Sequence, residues 1–84
     1  MLITIDGNLI NNKQELHQFI KQELKLDDSY GMNLDALEDI LYNYQDLEFK
    51  FINTSKLITN LEGYFFKLLL VLKDNDVNVS YKVD

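Results

Sequence analysis

The sequence predicts an α/β domain: a three-stranded parallel sheet with helices packed against it. Three observations carry that reading. Short β-branched or alternating stretches occur near residues 2–5, 47–52 and 77–83. Between them lie segments whose apolar residues recur at helical spacing. Strands separated by helices pair in parallel through crossovers, which excludes a simple meander.

Leu2, Ile3, Thr4 and Ile5 form the first expected strand, stopped by the turn signal Asp6-Gly7. Asn12 followed by Glu15 resembles a capping box with Asn in place of Ser or Thr. Leu16, Phe19, Ile20 and Leu24 then recur at helical spacing. Lys13, Gln14, His17, Gln18, Lys21 and Gln22 are assigned to the wet side. The single histidine is therefore expected on exposed helix surface. A connection through Asp27, Asp28 and Ser29 leads to a second helix beginning at Leu34.

Leu47 to Ile52 alternate as a second strand, with Glu48 and Lys50 on the wetter face. Asn53, Thr54 and Ser55 are potential caps for a short helix over 56–61, and Glu62-Gly63 breaks it. Tyr64, Phe65, Leu68, Leu69 and Leu72 mark a strongly apolar last helix. Asp74, Asn75 and Asp76 turn the chain into a closing strand over 77–83. No internal repeat, linker or low-complexity tract interrupts the single expected domain, 1–84.

With 84 residues and 46% hydrophobic content the chain can bury a modest core. The absence of cysteine excludes disulfides, thiolate metal sites and a cysteine nucleophile. A formal charge of −6 argues against direct nucleic-acid binding, which needs Lys and Arg against phosphate. The start has neither a basic region nor a long apolar run, and the longest apolar run near the other end contains Lys67. A membrane span needs about 20 apolar residues, so a cytoplasmic protein is expected.

The second helix carries the functional signal. Asn33 can cap its first turn, and Gly31 supplies a flexible turn before it. At about 100° per residue, Leu34, Leu37, Ile40, Leu41 and Tyr44 share one side. Asp35, Glu38, Asp39 and Tyr42 share the other, and no basic residue stands among them. Residues 26–49 hold seven acids and neither Lys nor Arg. Like charges one turn apart, such as Asp35 and Asp39, cost a few tenths of a kcal/mol, about what a helix pair is worth. A solvated helix face is the plain reading of such a run, and a cationic partner is the sharper one.

Leu16-His17-Gln18, Lys21, Glu23-Leu24, Leu26, Tyr30-Gly31, Asn33-Leu34-Asp35-Ala36-Leu37 and Asp39 together resemble the barstar family, intracellular inhibitors of barnase-type ribonucleases. Ile5, Gly7 and Ile10 are similar at the start. The resemblance implies a proteinaceous inhibitor whose second helix, with the loop before it, plugs a cationic active site. Asp35 and Asp39 would be the main anions, with Gly31, Asn33 and Leu34 lining the contact. Ser29, Tyr30, Glu38 and Tyr42 complete the candidate partner-binding set. The chain departs from the family at Ser29, where an aromatic stands, at Glu38 and Tyr44, which replace tryptophans, and near Leu69 and Leu70, where a late acidic contact falls.

The expected partner is a ribonuclease or another basic toxin. No cofactor, metal, nucleic acid or membrane is expected, and the free protein is expected to be a monomer. A catalytic role is not expected: the paired acids lack any sign of a cleft, and no phosphate-cradling loop or Ser/His/Asp arrangement is present. The competing expectation is a non-inhibitory module that docks on a basic protein surface.

Overall fold

A computed structural model describes residues 1–82. Its strands are β1 (Leu2–Asp6), β2 (Glu48–Ile52) and β3 (Asn78–Tyr81), paired in parallel in the order β1-β2-β3. Its helices are α1 (Lys13–Glu23), α2 (Leu34–Leu41), α3 (Thr54–Leu61) and α4 (Gly63–Asp74). The expected order and parallel pairing both hold. The third strand is shorter than expected, and the expectation for Val83 lies outside the described residues.

The alternation in the strands decides which sheet face is covered. Ile3, Ile5, Phe49 and Phe51 are buried, whereas Leu2, Thr4, Glu48 and Lys50 are exposed. Parallel register places Phe49 between Ile3 and Val79, so one face builds the core and the other stays wet. Two-sided covering is the usual habit of parallel sheets. Three strands with polar outward positions do without it. The helices bring Leu16, Ile20, Leu37, Leu57, Phe65, Leu68 and Leu72 onto the covered face. The rings of Phe51 and Phe65 meet edge-on with centroids 5.3 Å apart.

The chain leaves β1 differently from the simple turn expected at Asp6-Gly7. A 3-10 turn, Gly7–Leu9, begins there, with Asp6 accepting the N–H of Asn8. Asp6 also accepts from the Asn53 side chain at 2.7 Å, and that bond chiefly holds its carboxyl below the usual range. A Cβ on Gly7 would lie 2.2 Å from the Asn53 backbone oxygen, so only glycine fits. This contact seats the first crossover against the start of α3.

Both long helices end without glycine. After α1, Leu26 N–H bonds the Lys21 carbonyl at 2.9 Å and Lys25 N–H bonds that of Gln22 at 3.2 Å. Lys25 itself takes the left-handed conformation, φ 56°. After α4, Val77 and Asp76 bond back to Leu72 and Lys73 in the same pattern, with Asp76 at φ 59°. Between α3 and α4 the residue with positive φ is Glu62, at 53°, rather than Gly63.

Candidate functional site

The N-terminus of α2 is built as its cap residue predicts. Asn33 is extended, and its Oδ1 accepts the Ala36 N–H at 2.8 Å while its carbonyl accepts that of Leu37 at 3.0 Å. The turn before it differs from expectation. No glycine has a positive φ; Met32 does, at 58°. Gly31 serves proximity instead, since a Cβ there would stand 3.2 Å from that of Ala36.

Leu37 and Leu41 anchor α2 in the core, and Leu34, Ala36 and Ile40 are half-buried. The opposite face is open. Asp35, Glu38 and Asp39 are exposed, and Tyr42, at the end of the helix, is 90% exposed. Among the described residues one ion pair forms, Lys21 with Asp28 at 2.7 Å, and it involves no residue of α2. Asp35 and Asp39 thus present charge that no lysine within 4 Å offsets. Glu38 is steadied differently, accepting from the Asn75 side chain at 3.0 Å.

The loop before α2 forms one wall of a groove of about 400 Å³. Leu26, Ser29 and Gly31 line that wall, and Ala36, Asp39 and Ile40 line the other. Lys25, Asp27 and Tyr30 line it as well. Ser29 is exposed yet held, because its N–H and hydroxyl both donate to the Asp27 carboxylate. Those bonds keep the Asp27 carboxyl below the usual range. Gly31 and Asn33 are exposed beside the groove and Leu34 is half-buried.

Tyr30, a candidate contact, faces inward. It is only 7% exposed, and its hydroxyl lies 2.7 Å from Nδ1 of His17. Burial pushes its phenol well above the usual tyrosine range. The bond ties the loop before α2 to α1.

His17 corrects the sequence expectation outright. It is fully buried, with Nε2 2.6 Å from the hydroxyl of Tyr64. The signal is in the helical angle: His17 falls about 20° beyond Leu24, at one edge of the apolar arc that runs through Leu16 and Ile20. Phe19, counted as core, is half-buried at the arc's other edge. No local sequence pattern marks Tyr64 or Asn75, whose partners His17 and Glu38 lie 47 and 37 residues away.

Tyr44 is half-buried, its hydroxyl donating to the Leu24 carbonyl at 3.2 Å. On α4, Leu69 is half-buried and Leu70 is 60% exposed, so no carboxylate stands at that place. Leu69 instead joins Val77, Val79 and Tyr81 along a groove at the open edge of β3. No helix among the described residues is long and apolar enough to cross a membrane. No group of three His, Cys, Asp or Glu among them is placed to hold a metal ion.

Fold and site together define a class: a small parallel α/β domain that presents an uncompensated acidic helix beside a structured loop. The chain matches the family described as "Barstar (barnase inhibitor)" over residues 1–81, and it belongs to the barstar family. A Bacillus subtilis (strain 168) protein named "Putative ribonuclease inhibitor YrdF" is 42% identical to it over 59 residues. That stretch is 62% of this chain and spans 65% of the relative's length.

Proposed function

We propose that this protein inhibits a ribonuclease by seating the acidic face of α2 in the enzyme's cationic cleft. The observation that carries the reading is the exposure of Asp35 and Asp39 with no internal counter-ion. Family membership and the name of the relative support the ribonuclease as target.

The physics follows from what such an enzyme must bind. A cleft that holds RNA phosphate offers Arg, Lys and His donors, and a fixed carboxylate accepts the same charge-assisted bonds. Asp35 and Asp39 stand one turn apart on a short helix whose other face is packed into the core, so little side-chain or backbone ordering remains at binding. The groove beside Asp39 can receive a basic side chain reaching past Gly31 and Ser29. Gly31 keeps that entrance low, and Tyr42 offers an exposed ring at the far end of the face. The formal charge of −6 would draw a basic enzyme in from a distance.

The test is titration of purified protein into barnase while RNA cleavage is followed. The reading predicts that cleavage stops near one equivalent, and that association slows as salt rises from about 0.01 M to 0.15 M as the Debye length shortens. Binding that leaves cleavage intact would indicate a docking module and sink the inhibitor reading.

A further inference from the structure

The acidic face of α2 is tethered at one point. Its middle carboxylate, Glu38, meets the end of α4, where Asn75 is the cap residue. Asn75 Nδ2 donates to Glu38 Oε2 at 3.0 Å and to the Val71 carbonyl at 2.8 Å, so both hydrogens of the amide are committed. Its backbone N–H is shared between the carbonyls of Val71 and Leu72, at 3.2 and 3.3 Å. Half-buried and bonded to its own helix through main chain and side chain alike, Asn75 is a fixed point.

The chemistry of the tether decides what it does. Asp74 and Asp76 flank Asn75, and both are exposed. A carboxylate at position 75 would set another acceptor against Glu38 and the Val71 carbonyl, whereas the amide supplies the donor that both need. Being neutral, the amide also leaves the Glu38 charge whole, and the one ion pair among the described residues, Lys21 with Asp28, lies elsewhere. The bond uses Oε2, which leaves Oε1 as an acceptor for a partner. Glu38 has one rotatable bond more than the aspartates beside it, and ordering such a side chain at an interface costs affinity. Asn75 meets part of that cost before any partner arrives.

We infer that Asn75 is a positioning residue for the candidate interface: it holds the Glu38 carboxylate ready, as a third anion beside Asp35 and Asp39, for a donor of the partner. Asn75 need not touch the partner. Its effect on affinity rests on the inhibitor reading; the state of Glu38 in the free protein does not.

Asn75→Ala removes the donor and leaves every carboxylate in place. Dissociation from barnase should quicken about two- to tenfold, the worth of ordering one long side chain, with association nearly unchanged. Glu38→Ala should quicken it at least as much, and in that background Asn75→Ala should add less than about twofold. An Asn75→Ala effect of equal size in both backgrounds, or lower stability in urea with unchanged dissociation, would reduce the bond to a brace and overturn the inference. The free protein gives a readout that needs no partner: the Asn75 side-chain amide resonances should move in Glu38→Ala and stay in Asp35→Ala. Resonances indifferent to Glu38 overturn the proposal, and this arm decides should Asn75→Ala fail to fold. Asp39→Ala separates the two ideas, since undiminished inhibition by that variant defeats the inhibitor reading and leaves the resonance result standing.

Discussion

The Tyr30 hydroxyl lies 2.7 Å from Nδ1 of His17, tying the loop in front of the acidic helix to the buried side of α1. The pair makes the lone histidine of the chain a structural element rather than a surface group.

Burial holds the His17 imidazole down to about 4, from an ordinary 6.5. The unfolded chain therefore takes up this proton first as pH falls. The stabilisation is complete above about pH 6.5, declines between 6.5 and about 4, and loses nothing further from this group below that. A shift of that size corresponds to about 3 kcal/mol at full effect. Urea unfolding of wild type and His17→Gln at several pH values checks it. The wild type should lose more stability than the variant across this window, and parallel curves would refute the assignment.

Two glycines should respond unequally to the same substitution. Gly7→Ala drives a Cβ to 2.2 Å from the Asn53 backbone oxygen, which cannot yield without moving the start of α3. A loss of about 2 kcal/mol or more is expected. Gly31→Ala meets the Ala36 side chain at 3.2 Å and that of Asn33 at 3.7 Å, and should cost under about 1 kcal/mol, an ordinary exposed-site value. At an exposed position on the groove, Gly31→Ala should nevertheless weaken ribonuclease binding. Chemical denaturation and a binding titration on both variants distinguish these effects.

The two asparagine caps offer a matched control. Asn12 and Asn33 each accept one backbone N–H of their own helix, at 2.9 and 2.8 Å. Replacing either with Ala should cost about 1 kcal/mol of stability. Only Asn33→Ala should also loosen the inhibitor–ribonuclease complex, because only α2 carries the candidate contact. Equal effects of both on affinity would place the contact elsewhere.

Much of this architecture is readable in the chain because its core is periodic. Ile3, Ile5, Phe49 and Phe51 alternate in and out, and Leu34, Leu37 and Leu41 recur on one side of a helix whose acids occupy the other. Other features depend on groups far apart in sequence. Lys25, Met32, Glu62 and Asp76 take positive φ values that glycine would advertise, and at Lys25 and Asp76 the bonds from Leu26 and Val77 back into the helix close the turn without it. Glu15 departs from the expected capping box by accepting from Asn11 rather than Asn12. The polarity of His17 points to the surface, yet two tyrosine hydroxyls, 13 and 47 residues away, satisfy it inside. The acids of α2 were legible as a face, and their freedom from lysine needed coordinates to see.

The central claim concerns two carboxylates, and one comparison tests it most directly. Inhibition of barnase is measured for wild type, Asp39→Asn and the Asp35→Asn/Asp39→Asn pair, which keep side-chain size and remove charge. Each lost partner of a buried charged contact is worth about 2–5 kcal/mol. Asp39→Asn should therefore weaken inhibition by about thirtyfold or more, mostly through faster dissociation, and the double variant further still. Wild-type potency in the double variant would contradict the account.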